Sequence, residues 1–179
     1  MSITSTLKKS LAIAAVSACA FGVQQSTAGI LGGQIFVHSD GNVKATFVGR
    51  TAGYDNELYL HTPANGLGRI FHNHLNSPGD MFDLGYFTAG TELVFRLYVV
   101  NTGLTFYSGD GSLNPDAIPH AIVSEVGTDT VVGFEDLFGG GDRDYDDTIF
   151  KFSNARIHRV PDASATLPLL GAAMAGLAA

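Results

Sequence analysis

The sequence predicts an all-β protein, an antiparallel β-sandwich of about nine strands with a jelly-roll-like character. Three observations predict it. Short alternating or β-rich stretches recur along the middle of the chain, turn residues separate them at roughly 8–15-residue spacing, and helical periodicity is absent. Glycine is abundant at 22 of 179 residues, while charged residues are only 15%, below the usual share of about a quarter. Twelve phenylalanines and six tyrosines can fill a core without tryptophan.

The elements follow in order. Gln34 to His38 is the first strand, and Ser39-Asp40-Gly41-Asn42 is a tight-turn sequence leading into Val43 to Gly49. Asn56 to His61 and Arg69 to His72 come next, split by Pro63-Ala64-Asn65-Gly66. Thr91 to Val100 carries the clearest alternation: Leu93, Phe95, Leu97 and Val99 share one face, and Glu92, Arg96 and Tyr98 the other. Leu104 to Tyr107, His120 to Ser124, Thr130 to Phe134 and Thr148 to Phe152 complete the set. No linker, repeat or low-complexity block interrupts this stretch, so residues 29–159 are expected to form one domain.

Both ends read as addresses. Residues 1–28 have the form of a secretory signal helix, with Lys8 and Lys9, an apolar run from Leu11 to Val23, and small residues at Ser26-Thr27-Ala28. Val16-Ser17-Ala18-Cys19 also fits a lipobox, which would make Cys19 a lipidated N-terminus in place of cleavage after Ala28. Cleavage there leaves no cysteine and eight bases against seventeen acids, a charge of −9 rather than −7. An exported domain without disulfides needs another staple or a good core. At the other end, Val160-Pro161-Asp162 precedes an apolar run from Leu167 to Ala179. This is expected to be a short apolar helix, well under the ~20 residues of a spanning one. Residues 160–179 resemble the PEP-CTERM sorting signal in its Val-Pro-Asp form, although no arginine cluster follows Ala179. That resemblance implies recognition by an exosortase, transient contact with an inner membrane, and a final place outside a Gram-negative cell or on its surface.

The acidic balance argues against nucleic acid as a partner, because like charge repels phosphate. The charge is also concentrated. Six of the seventeen acids, Glu135, Asp136, Asp142, Asp144, Asp146 and Asp147, fall within thirteen residues, offset only by Arg143 and preceded in part by Gly139-Gly140-Gly141. Crowded carboxylates repel unless a cation or hydrogen bonds compensate them. Hard oxygen ligands on a glycine-rich loop suit Ca²⁺, which takes about 6–8 oxygens in flexible geometry. Asp142, Asp144 and Asp146 would point to one side of an extended segment, or converge in a curled loop. The pattern is not an EF-hand, since Asp147 stands where the loop needs glycine and Ser153 where it needs glutamate. Nor is there a glycine-aspartate nonapeptide repeat.

Gly133-Phe134-Glu135-Asp136-Leu137, then Gly139-Gly140-Gly141-Asp142-Arg143-Asp144-Tyr145-Asp146-Asp147 and an apolar strand, resemble the signature of the domain of unknown function 4114. Asp146 stands where that signature more often has asparagine. Val48-Gly49 with Ala52-Gly53-Tyr54, and Asn114-Pro115-Asp116 with His120-Ala121, fit as well, so the resemblance spans about Gln34 to Phe152. It implies a secreted bacterial β-rich domain of adhesin-like and matrix proteins, with no established catalytic activity. The ligand candidates carried over by position are Glu135, Asp136, Asp142, Asp144 and Asp147, then Asp146. Asp116 would approach from another loop, and Tyr145 is expected to pack inward.

Other signals are weaker. His72-Asn73-His74 puts two imidazoles on one face without an obvious third metal ligand. Glu135 and Asp147 as a glycosidase pair would need one carboxyl held protonated in an apolar site, whereas a loop with six acids is expected to be polar and wet. No Gly-x-Ser-x-Gly elbow is present. Tyr54, Tyr59, Tyr86, Tyr98 and Tyr107 are candidates for stacking on sugars. The expected function is therefore a secreted, non-enzymatic, calcium-binding β-sandwich of the cell surface or biofilm matrix, with extracellular polysaccharide or other surface proteins as partners. A carbohydrate-binding adhesin module is the alternative.

Overall fold

The computed structural model describes residues 28–158. The expected signal helix, the Cys19 lipobox and the sorting tail lie outside the described residues. Within them the chain is all-β, with one short 3-10 turn at Gly111–Leu113. Twelve strands are described rather than about nine: β1 (Ile30–Leu31), β2 (Ile35–Val37), β3 (Gly41–Gly49), β4 (Asn56–Thr62), β5 (Phe71–His72), β6 (Met81–Phe87), β7 (Glu92–Val99), β8 (Leu104–Tyr107), β9 (Ala121–Val126), β10 (Asp129–Phe134), β11 (Thr148–Phe152) and β12 (Ala155–Ile157).

They form two antiparallel sheets. One runs β1-β9-β10-β11-β3-β6, and the other β12-β2-β7-β4-β5. β8 also pairs β7, alongside Arg96 to Val99, beyond the point where β2 pairs Glu92 and Leu93.

The inward faces follow the period of two. In β7, Leu93, Phe95, Leu97 and Val99 are all buried, and Arg96 on the opposite face lies 4.2 Å from the centroid of the Tyr59 ring on β4. The sheets meet through aromatic rings: Phe95 stacks on Phe152 at 4.0 Å between centroids, and Phe71 stacks on Phe150 at 5.9 Å. Phe47, Phe134, Val43, Val123 and Val132 belong to the same core.

The missed strands have physical reasons. β6 carries a bulge: Val43 pairs Gly85 and Lys44 pairs Asp83, so Leu84 has no opposite residue, and Gly85 takes φ +93°. The buried positions Leu84 and Phe87 are therefore three apart, which breaks the alternation that signals a strand. β1 and β12 span two and three residues, too short to show a period.

The site lies at one end of the sandwich. Residues 135–147 connect the neighbouring strands β10 and β11. Residues 50–55 carry the chain from β3 in one sheet to β4 in the other. The two connections are stitched together, Thr51 N–H donating to the Asp146 carbonyl and Ala52 N–H to that of Asp147, both at 3.2 Å.

Candidate metal centre

Glu135 and Asp136 continue directly from β10, and the pairing of the sheet extends to Glu135, whose N–H donates to the His120 carbonyl at 2.9 Å. This continuation buries them: Glu135 is 1% exposed and Asp136 3%. The chain then leaves the sheet through Leu137 and Phe138, which are exposed.

The return path is tightly wound. Gly139, Gly140 and Gly141 have φ of +84°, +81° and +40°, and Arg143 and Tyr145 are left-handed at +65° and +56°. Side chains of the aspartates support the curl, with Asp142 Oδ1 accepting from Asp144 N–H at 3.5 Å and Asp144 Oδ1 from Asp146 N–H at 3.2 Å. The loop is thus curled rather than extended.

The curl produces two groups of converging carboxylates that share Glu135. In each group, one oxygen from every residue lies within 4.8 Å of the others. The inner group is Glu135, Asp136 and Asp147, and the outer group is Glu135, Asp142 and Asp144. Calcium–oxygen bonds of about 2.3–2.6 Å place opposite ligands about 4.6–5.2 Å apart, so both groups have the span of a calcium shell.

In the inner group each carboxylate is oriented by a nitrogen donor. Asp136 N–H donates to Asp147 Oδ2 at 2.9 Å, Asn56 Nδ2 to Asp136 Oδ2 at 2.7 Å, and Arg143 N–H to Glu135 Oε2 at 3.2 Å. Donors of this kind fix metal-binding carboxylates.

The electrostatics are unfavourable without a cation. Burial pushes the Glu135 carboxyl up to about 7, and the Asp147 carboxylate beside it adds to the push. Burial likewise raises Asp136, with Asp147 contributing against the lowering effect of Asn56. The loop is therefore not uniformly polar and wet, as the count of acids suggested. Its exposed arc is, but Glu135 and Asp136 stand in a desolvated setting.

A second, independent observation concerns Asn56, which is 1% exposed. Its Nδ2 donates to Asp136 and to Thr148 Oγ1, while its buried Oδ1 has no hydrogen-bond partner. An unsatisfied buried acceptor costs roughly 1–3 kcal/mol. An amide oxygen is among the donors calcium accepts. The three carboxylates of the inner group offer oxygen alone, a donor set that fits calcium and lacks the nitrogen and sulfur ligands that zinc favours.

The remaining predicted residues have other partners. Asp146 belongs to neither group: its carboxylate accepts the Thr51 hydroxyl, which ties the loop to the β3–β4 connection. Asp116 does not approach the groups. Its Oδ2 accepts from Gly139 N–H and pairs with His120 Nε2, both at 2.8 Å. Burial alone would raise the Asp116 carboxyl, but the Gly139 N–H and His120 bring it below its usual range. His120 is fully buried against the Phe106 ring, and its Nδ1 donates to the Glu135 carbonyl at 3.0 Å. Asp116 and His120 therefore hold both ends of the Glu135–Gly139 segment. Tyr145 is half-buried and its carbonyl lies over Gly133.

His72 and His74 gain a nearby carboxylate, Asp55, at 3.9 Å and 2.7 Å. However, His72 Nδ1 accepts the His74 N–H at 3.2 Å, which places the proton of a neutral ring on Nε2, the atom that faces Asp55. A metal there would displace that arrangement.

Asn56 was absent from the sequence-derived candidates. Its signal was available: it occupies the inward register of β4 with Leu58 and Leu60, a polar residue at an apolar position.

Gly141 tests the geometry. A Cβ there would collide with the Glu135 carboxylate, and φ of +40° already disfavours other residues. Gly141→Ala is expected to displace Glu135, lower stability by about 1–3 kcal/mol and weaken any calcium response. Parallel thermal melts with and without calcium measure both.

Residues 78–155 match the model of a domain of unknown function (DUF4114). The match runs from just before β6 through the start of β12 and takes in the whole acidic loop, Asp116 and His120. Asn56 and the β3–β4 connection, which dock on that loop, precede it. No curated protein and no solved structure matches the chain.

Proposed function

We propose that this chain is an exported, non-enzymatic β-sandwich that binds Ca²⁺ through Glu135, Asp136 and Asp147, with Asn56 Oδ1 as a further oxygen ligand. It would act on the cell surface or in the extracellular matrix. The observation that carries the reading is the buried inner group: two desolvated carboxylates, a third beside them, and an amide oxygen without a partner. A dication reverses the repulsion and ties the β10–β11 loop to β4. Asp142 and Asp144, exposed and sharing Glu135, would extend the site outward.

A glycosidase reading has one feature in its favour, the raised Glu135 carboxyl. Against it, Glu135 is sealed from solvent and its oxygen lies within 4.8 Å of one on Asp147. A scissile bond has no open path to a carboxyl buried in this way.

Export, sorting of residues 160–179 by an exosortase-type machinery through transient inner-membrane contact, and matrix polysaccharide or surface proteins as partners belong to this proposal. Export and sorting rest on the terminal sequence patterns, and the matrix partners on the family resemblance of the acidic loop.

Thermal unfolding checks the calcium claim. At ten times a dissociation constant of about 10⁻⁴–10⁻³ M, calcium stabilises the folded state by about 1.4 kcal/mol, a rise of roughly 5 °C over the EDTA-treated protein. A midpoint indifferent to calcium, in wild type and in Asp136→Asn and Asp147→Asn alike, removes the proposal.

A further inference from the structure

An open hollow of about 360 Å³ adjoins the inner carboxylate group, lined by Gly53, Tyr54, Asp136, Leu137 and Asp147. Its size falls at the lower end of small-molecule sites, about 300–1,000 Å³. We propose that this hollow binds a neutral glycan, two adjacent hydroxyls completing the coordination of the calcium ion while a sugar face lies against Tyr54 and Leu137. The inference rests on the calcium reading of the same site.

Four observations lead to this ligand class. First, the protein ligands lie on one side. Glu135 is buried, and Asn56, 1% exposed with Oδ1 unpartnered, holds Asp136 from the β4 side, whereas Asp136 and Asp147 also line the hollow. Calcium takes about 6–8 oxygens, more than these residues supply singly, so the remaining positions open towards the hollow and accept oxygen donors.

Second, the other walls are an aromatic ring and an aliphatic side chain left partly exposed, Tyr54 at 36% and Leu137 at 40%. A site with hard oxygen coordination at one wall and apolar surface at another matches a pyranose, which carries hydroxyls at its rim and C–H groups on its face.

Third, Gly53 is a glycine for neither of the usual reasons. Its φ lies outside the left-handed region, and a Cβ built on it meets nothing within 4 Å. What the missing side chain does is leave this wall of the hollow open.

Fourth, three carboxylates in the inner group against one dication leave the occupied site net negative, in a chain of formal charge −7, which favours neutral sugars over uronates and sulfated glycans.

The test is an array of mannose-, galactose- and glucose-terminated oligosaccharides, with uronate-containing ones beside them. It is probed with the full-length protein in millimolar calcium and in EDTA, with thermal melts run on the same samples. The expected result is binding to a neutral glycan in calcium only. Gly53→Phe, which fills the hollow, and Tyr54→Ala, which removes the ring, should each weaken it by about tenfold or more while the calcium-dependent rise in melting temperature persists. A normal calcium rise with no neutral glycan bound overturns the inference and leaves the calcium reading standing. Glycan binding that survives EDTA or Gly53→Phe, or a preference for uronates, also overturns it. Loss of the calcium rise in wild type overturns both.

Discussion

Glu135→Gln is expected to raise the melting temperature of the calcium-free protein and to abolish its response to calcium. The two effects have opposite signs and one cause. The Glu135 carboxyl stands near 7 against an ordinary 4.5, chiefly because it is buried and secondarily because Asp147 lies beside it. A carboxyl raised in the folded state contributes its stability fully below the unfolded value, and that contribution is lost as pH rises through the folded one. In EDTA, wild type should therefore lose stability between about pH 4.5 and about pH 7, by an amount on the order of 3 kcal/mol for this shift. Glutamine has nearly the same shape, its carbonyl can still accept from Arg143 N–H, and it carries no charge to desolvate. The variant should accordingly melt roughly 10 °C higher than wild type at pH 8 in EDTA. In calcium the cation keeps Glu135 ionised, the loss with pH disappears in wild type, and the variant gains nothing. Melting curves across pH 4.5–8.5, with and without calcium, read all four states. A variant less stable than wild type in EDTA would mean that the Glu135 charge is a net structural support, contrary to this account.

Gly133→Ala is the second large effect. Gly133 lies inside β10, opposite Ile149 on β11 and Ile122 on β9. The backbone carbonyl of Tyr145 folds down over it, so a methyl group would collide with that oxygen and approach Ile122 Cγ2 at 3.5 Å. A main-chain neighbour cannot swing aside as a side chain can. Residues 142–147 would have to lift from the sheet, carrying Asp147 away from Asp136 and pulling on the Thr51 and Ala52 hydrogen bonds. A loss of about 3 kcal/mol is expected, at the upper end of overpacking effects, together with loss of calcium binding. The control is Gly49→Ala, where a Cβ meets nothing within 4 Å and little change is expected. Equal tolerance at both positions would show that the loop does not rest on β10 in this way.

These residues also show where the fold and the site were legible. The inward alternation of β7 and the turn chemistry between strands are properties of neighbouring residues, so the sandwich and nine of its strands could be read locally. β6 could not, because the bulge at Leu84 and Gly85 shifts its period. The acidic block announced itself by density. The roles within it did not, because they depend on partners far away in the chain: Thr51 takes Asp146, His120 and Gly139 take Asp116, and Asn56 joins Asp136 from eighty residues upstream. The left-handed turns at Arg143 and Tyr145 were equally hidden, since neither residue favours positive φ. Burial of Glu135 was the least visible of all, as it arises from strand pairing that continues past β10 through the Glu135 N–H and the His120 carbonyl.

The most direct measurement is calcium titration calorimetry of the chelator-treated protein at pH 7, in two buffers of different ionisation enthalpy. With the Glu135 carboxyl raised to about 7 by burial and Asp136 raised beside it, the empty site holds protons that metal binding must expel. Saturable binding accompanied by net proton release is expected, with the binding abolished in Glu135→Gln and in Asp147→Asn. Absence of binding up to about 10 mM calcium, an order of magnitude above the weakest extracellular sites, or binding unaffected by those substitutions would contradict it.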